Sequence, residues 1–350
     1  MVIEWGTFLS ELMSNPMLVA VTLLNIGVII VNGATDAPNA IATVVSTRCM
    51  KAGPAIAMAA ICNFLGLLVI TLVSSAVANT IFHMVDFGGD HHQALIALLA
   101  AMVAIIVWGV AAWAFGIPTS QSHSLIAGLT GAAIALQGGF GGINGAEWAK
   151  VVYGILLSTF MGFGFGWIVS KIVMRVFRRF DRAKLDHGFK WLQIIAGAGV
   201  AFMHGAQDGQ KFMGIFILAI TLATGIGQAD QMILPIWLMV FCALNMGLGT
   251  AIGGKKIIKS VGMDMVKLEK HQGFSASFAA VVCLMISTFG GLPVSTTHTK
   301  TTAIMGVGAA KNKKAVKWSI AIDMVKTWVL TFPGCGLLGF VFAQLFFLVL

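Results

Sequence analysis

The chain has 350 residues, 58% of them hydrophobic and only 10% charged, against about 25% charged in ordinary soluble domains. That excludes a soluble globular fold, and the net charge of +9 does not point to nucleic acid, because the basic residues are confined to a few short loops. Five cysteines (Cys49, Cys62, Cys242, Cys283 and Cys335) lie in or beside apolar stretches without metal-type spacing, so neither a disulfide framework nor a metal cluster is expected.

Glu4 and Glu11 precede the first apolar stretch with no basic segment beside them, so a cleaved signal peptide is not expected. Stretches long enough to cross a bilayer run through 17–35, 53–78, 93–115, 116–138 and 148–170. After a polar, basic segment they resume at 190–222, 232–252, 274–290, 291–310 and 318–346. They alternate too little and run too long for barrel strands. In lipid the backbone must then be satisfied inside helices, and the predicted fold class is an all-α polytopic membrane protein. Gly138 to Gly145 reads as a turn.

Arg48 and Lys51, seven basic residues from Lys171 to Lys190, five from Lys255 to Lys270 and four from Lys311 to Lys317 make up 18 of the 22 lysines and arginines. Alternating the ten stretches places all of these on one side, which the positive-inside rule makes the cytoplasm. The opposite loops carry His83, Asp86, Asp90, His91, His92, Glu147 and Asp230. Both termini are then outside, in a multi-pass protein of a bacterial or archaeal plasma membrane. The segment 116–138, like 291–310, reads either as a full span or as a re-entrant hairpin.

Two motifs recur in the same order. Asn32-Gly33-Ala34-Thr35-Asp36-Ala37-Pro38-Asn39 is matched by His204-Gly205-Ala206-Gln207-Asp208-Gly209-Gln210-Lys211, with the aspartates 172 positions apart. Gly116-Ile117-Pro118-Thr119-Ser120-Gln121-Ser122-His123 is matched by Gly291-Leu292-Pro293-Val294-Ser295-Thr296-Thr297-His298, with the histidines 175 apart. This is a duplication. Asp36 is reached by an inward-running span and Asp208 by an outward-running one, so the copies are inverted repeats. The expected domains are a first transmembrane repeat over 1–170, a basic cytoplasmic linker over 171–190 and a second repeat over 191–350.

A carboxylate inside a span costs at least about 2.5–3.5 kcal/mol unless it meets a cation, a proton or a polar cavity. Gly33 and Gly205 are expected to weaken the helix before each aspartate, and Pro38 removes a donor after the first. An interrupted helix frees carbonyls. Asp36 and Asp208, with Asn39 and Gln210 near them, are the candidate cation-coupling residues, the two aspartates being candidate sodium ligands. The proline motifs suit an anion instead. Proline favours a first helical turn, hydroxyls cap it, and a helix N-terminus offers free amides and a positive dipole end. Ser120, Ser122, Ser295, Thr296 and Thr297 are the candidate ligands for a tetrahedral oxyanion held between two such ends. His123 and His298 either donate to an anion, take up a proton or simply pack. Lys211 and Lys300 either touch substrate or neutralise a neighbouring carboxylate.

These residues make the chain resemble the inorganic phosphate transporter (PiT) family of symporters over nearly its whole length. The first family signature is met by Gly33, Asp36, Asn39 and Ala40, followed by Ile41 to Val44. The second is met by His204 to Lys211, and the hairpin signature by Pro293 to His298. Gly253 to Ile258, with Gly262, Gly273 and Phe274, resembles the family's central cytoplasmic region. The resemblance implies inverted repeats with re-entrant hairpins, phosphate at the midplane, symport with sodium or protons, and no catalytic residue or cofactor. Gln121 interrupts the first hydroxyl run, Thr35 and Gln207 replace other polar residues, and the carboxylate expected near Ser277 is missing. Those departures leave the coupling ion open. Sulfate or a metal–phosphate complex is the alternative cargo. An intramembrane hydrolase is disfavoured, because the two aspartates occupy matched positions without distinct acid and base environments. No P-loop sequence is present, so ATP drive is not expected. Expected partners are phosphate and lipid, with a second copy of the chain also admissible.

Overall fold

The computed structural model describes residues 4–88, 90–115, 119–225, 234–252, 268–312, 314 and 316–350. They form helices α1 (Trp5–Ser14), α2 (Pro16–Thr35), α3 (Ala37–Ser46), α4 (Ala52–Val73), α5 (Ala76–Phe82), α6 (His91–Phe115) and α7 (Gln121–Gln137). There follow α8 (Gly145–Val176), α9 (Arg182–Thr224), α10 (Ile236–Ile252), α11 (Lys270–Phe289), α12 (Thr296–Lys311) and α13 (Trp318–Val349). The described residues include no strand, only an isolated antiparallel bridge between Val85 and Ile143. The fold class expected from the sequence is the one adopted. Pro118, Asp230 and the glycine-lysine segment 253–258 lie outside the described residues.

Local chemistry sets the helix ends. Asn15 caps α2 through the amides of Met17 and Leu18, with Pro16 in the first turn. Asn144 caps α8 through Ala146 and Glu147. Glu269 and Gln272 form a reciprocal capping box on α11. That helix ends where Gly291 takes a φ of 65°, a left-handed conformation that suits glycine. Ser295 then caps α12 by accepting from the His298 amide.

The two aspartate motifs fold differently. The first helix breaks at Asp36, between α2 and α3, but α9 runs through Asp208 without interruption. An interrupted helix in the second copy is therefore corrected. The cause is proline: Pro38 has no amide to donate and restricts the residue before it, whereas Gln210 at the matched position can continue the helix.

Gly33 and Gly205 do not break their helices either. A side chain at Gly33 would meet the backbone of Met246, Gly249 and Thr250 on α10, and one at Gly205 would meet the backbone of Asn63 on α4. These glycines permit close helix approach. Each lets the first helix of one half touch the second helix of the other. The later helices make the same exchange. Gly131 of α7 packs on Gly336 of α13, and Gly306 of α12 packs on Phe163 of α8. Helices from residues 1–170 and 191–350 thus meet at close glycine contacts twice over, and Gly131 and Gly306, which make two of them, lie 175 positions apart. Replacing Gly306 by leucine should cost about 1–3 kcal/mol or more, the usual range for overpacking, because the obstacle is the Phe163 carbonyl rather than a movable side chain. A lowered melting temperature of the purified variant is the expected reading.

Among the described residues, six helical segments are long and apolar enough to cross a membrane, namely Pro16–Ser46, Ala52–Val73, His91–Ala112, Gly145–Val176, Lys270–Phe289 and Val325–Val349. With 17 and 16 residues, α7 and α12 span only about 25 Å at 1.5 Å per residue, less than the roughly 30 Å hydrocarbon layer. The helices within the stretches 116–138 and 291–310 are therefore shorter than a full crossing. The basic segment 171–190 forms no separate helix, since α8 enters it from one side and α9 from the other.

A buried polar cluster sits within an apolar interior, and the outer helix faces are apolar too. Tyr153, Leu156, Phe160, Ile168 and Ile172 of α8 and Leu330, Leu337 and Leu345 of α13 are exposed, while Asp36, His204, Asp208 and Lys211 are buried. That distribution suits a lipid surround.

Candidate functional site

Four elements converge on one buried cluster: the α2–α3 break, the middle of α9, and the starts of α7 and α12. Asp208 is its most heavily bonded member. The Lys211 ammonium donates to Asp208 Oδ1 at 2.7 Å, Ser122 Oγ at 2.6 Å and the Val294 carbonyl at 2.6 Å. Asn32 donates to Asp208 Oδ2 at 3.3 Å, Ser122 and Thr296 offer hydroxyls to the same carboxylate at 3.4 Å each, and His204 Nε2 lies 3.3 Å from Oδ2. The other nitrogen of His204 meets Asn63 Oδ1 at 3.0 Å.

Asp36 is held much more loosely. It receives the Gln121 amide at 3.4 Å and the Thr35 hydroxyl at 3.4 Å. Asn39 donates to Thr297 Oγ1 at 2.9 Å, and its own carbonyl oxygen is buried without a partner. Both carboxylates are at most 3% exposed. The described residues hold no group of three or more His, Cys, Asp or Glu side chains suited to a metal ion. Any cation here would be met by carboxylate, hydroxyl and amide oxygens, the ligands of a hard ion.

The two short helices start side by side. The rings of His123 and His298 meet edge to face with centroids 4.3 Å apart. Phe332 covers His123, and Trp328 stacks on His298. The first amides of a helix have no partner within it, so those of Ser122, Thr296 and Thr297 add to the donors gathered here. The Ser120 hydroxyl and both ring nitrogens of His123 and His298 are buried with no hydrogen-bond partner in the protein. Buried polar atoms are normally paired, so this concentration of unpaired ones at two helix N-termini makes it the candidate place for a polar ligand. Ser295 differs from its neighbours because its oxygen already caps α12.

Two sequence candidates are elsewhere. Gln210 bridges the α4–α5 break, donating to the Ser74 carbonyl at 2.7 Å and accepting from the Val77 amide at 3.2 Å. Lys300 is fully buried but donates to Ser277 Oγ at 2.7 Å. Ser277 in turn meets Thr43, which accepts from Gln193. Sequence reasoning missed Asn63, although a lone amide in the apolar stretch 53–78 was a visible signal. It also missed the Val294 carbonyl, a backbone group that no residue type announces.

A profile described as the phosphate transporter family matches residues 32–339. The chain belongs to the phosphate transporter family. The match takes in both aspartate motifs and both short-helix starts. A Bacillus subtilis protein named "Probable low-affinity inorganic phosphate transporter" is 38% identical over 88% of this chain and 91% of its own length. A Rhizobium meliloti protein of the same name is 36% identical over 93% of this chain and 95% of its own. A solved structure named "The sodium-dependent phosphate transporter" superposes with a TM-score of 0.85 over 96% of this chain and 100% of that one. At 20% identity, that likeness concerns the fold.

Proposed function

We propose that the chain is a secondary active transporter that imports inorganic phosphate by symport with a cation, sodium or proton. The observation that carries this reading is the meeting of two helix N-termini, rich in free donors, beside two buried carboxylates. The amide ends, with Ser120, Ser122, Thr296 and Thr297, suit a tetrahedral oxyanion. The carboxylates supply the negative charge a co-transported cation meets, and neutralising them on loading ties the two bindings together. Names given to the relatives support phosphate. The duplicated motifs and the placement of the basic loops support two inverted halves rocking around a central site, and the reciprocal glycine contacts are what a two-fold repeat would make. Radiolabelled phosphate uptake into proteoliposomes, with sodium and proton gradients imposed separately, tests the reading. Uptake driven by either gradient and not competed by sulfate is expected, and no uptake under both would refute it.

The proposed orientation puts the basic loops in the cytoplasm. Asp86 bonds to Gly142 just before α8, and Phe180 lies just beyond its other end. At 32 residues that helix is about 48 Å long, so positions 86 and 180 belong to opposite faces. Single cysteines placed there should react with impermeant reagents from the outer and the inner face respectively. Labelling of both from one face would overturn this topology.

A further inference from the structure

The lysine of the second motif does more than screen a carboxylate. We infer that the Lys211 ammonium is a built-in cation filling one of two matched coupling positions, so that each transport cycle carries a single exchangeable cation, at Asp36. The inference rests on the symport reading above.

The surroundings of Lys211 are those of a cation site. A carboxylate, a hydroxyl and a backbone carbonyl lie 2.7, 2.6 and 2.6 Å from the nitrogen, and an ammonium has three N–H groups to give. A hard alkali cation takes the same three kinds of oxygen. The side chain is 1% exposed, so bulk water does not share this coordination.

The other half makes the matched contact without a charge. Lys211 stands three residues after Asp208, and Asn39 stands three after Asp36. Lys211 bonds to Ser122 and Asn39 bonds to Thr297, and those two hydroxyl residues are themselves matched, 175 positions apart. Each half thus reaches from its aspartate motif to the short helix of the other half, once with an ammonium and once with a neutral amide. Beside Asp36 no lysine or arginine is bonded among the described residues, and the Asn39 carbonyl oxygen stays unpartnered. Two carboxylates with one fixed ammonium leave one negative charge to be met. His204 touches the same carboxylate as Lys211 and not Asp36, so it does not supply that charge. The asymmetry assigns the exchangeable ion to the first half.

The experiment is a reversal-potential measurement on proteoliposomes, with valinomycin and potassium setting the voltage and sodium or proton gradients opposing phosphate. The unaltered chain is expected to balance at about one cation per phosphate, the number that two carboxylates and one lysine leave to be supplied. Lys211→Asn copies the first half into the second, supplying an oxygen and space where the ammonium was. It is expected to transport with about two cations per phosphate. Lys211→Met, which gives neither charge nor oxygen, is expected to cut uptake by about tenfold or more, a loss of the size expected for a bond to a charged group, without recovery at high sodium. A ratio of two in the unaltered chain overturns the assignment whatever the variants do. So does an unchanged ratio in a transporting Lys211→Asn variant. Absence of phosphate movement under either gradient would instead remove the symport reading itself.

Discussion

Asp36→Asn is expected to abolish accumulation of phosphate against its gradient while leaving the protein folded. The carboxylate is buried but weakly held, by one amide and one hydroxyl at 3.4 Å each, and no built-in cation depends on it. An asparagine can accept from the same donors and is cheaper to bury than an ionised group. What it cannot do is oppose a co-transported positive charge, and the neighbouring Asp208 is already paired with Lys211. Normal elution and melting, with uptake that stops at equilibrium with the outside phosphate, is the expected result. Accumulation near the unaltered level would show Asp36 to be structural.

The same substitution at Asp208 should behave differently, although the two motifs look equivalent in the sequence. Removing the Asp208 charge strands the Lys211 ammonium in a closed interior, where its other partners are a hydroxyl and a carbonyl. Breaking a buried pair from one side costs about 3–5 kcal/mol. Asp208→Asn is therefore a stability variant as well as a transport variant, whereas the motifs read as sequence predict intact folding for both.

That contrast shows what the sequence reveals here and what it hides. Hydropathy and duplicated motifs suffice to find the helical membrane fold, because both depend on residue type and spacing alone. The pairing of Ser120 to His123 with Ser295 to His298 is legible for the same reason, since proline and hydroxyl residues announce helix starts wherever they occur. The fate of Gly33 and Gly205 is not. A glycine that weakens a helix and one that admits a neighbouring backbone look identical until the opposing α4 and α10 are placed. Gln210 lies only two residues from Asp208, yet a helix turns it onto the α4–α5 break. Lys211 reads as one more charge near an acid. Its significance comes from Ser122 and Val294, which are 89 and 83 positions distant.

The anion side is best tested at Ser120 and Thr296. Ser120 sits at the start of α7, buried, with a hydroxyl that bonds to nothing in the protein. Thr296 opens α12 and offers its hydroxyl only to the already crowded Asp208, at 3.4 Å. Neither hydroxyl is needed to hold its helix, so alanine at each position should leave folding intact. Loss of a hydrogen bond to a charged ligand costs about 1.5–3 kcal/mol, and about 1.4 kcal/mol is a factor of ten. Each alanine variant should therefore bind phosphate roughly ten- to hundredfold more weakly. Ser295→Ala is the contrasting control. It removes the cap that accepts from His298, so its main expected effect is about 0.5–2 kcal/mol of stability. Gln121→Ala should be tolerated, because the contact to Asp36 comes from its backbone amide. Calorimetry with inorganic phosphate on the purified variants decides the matter. Unchanged affinity at both Ser120 and Thr296 would move the anion away from the paired helix ends, leaving Lys300 beside Ser277 as the next buried group able to bind it.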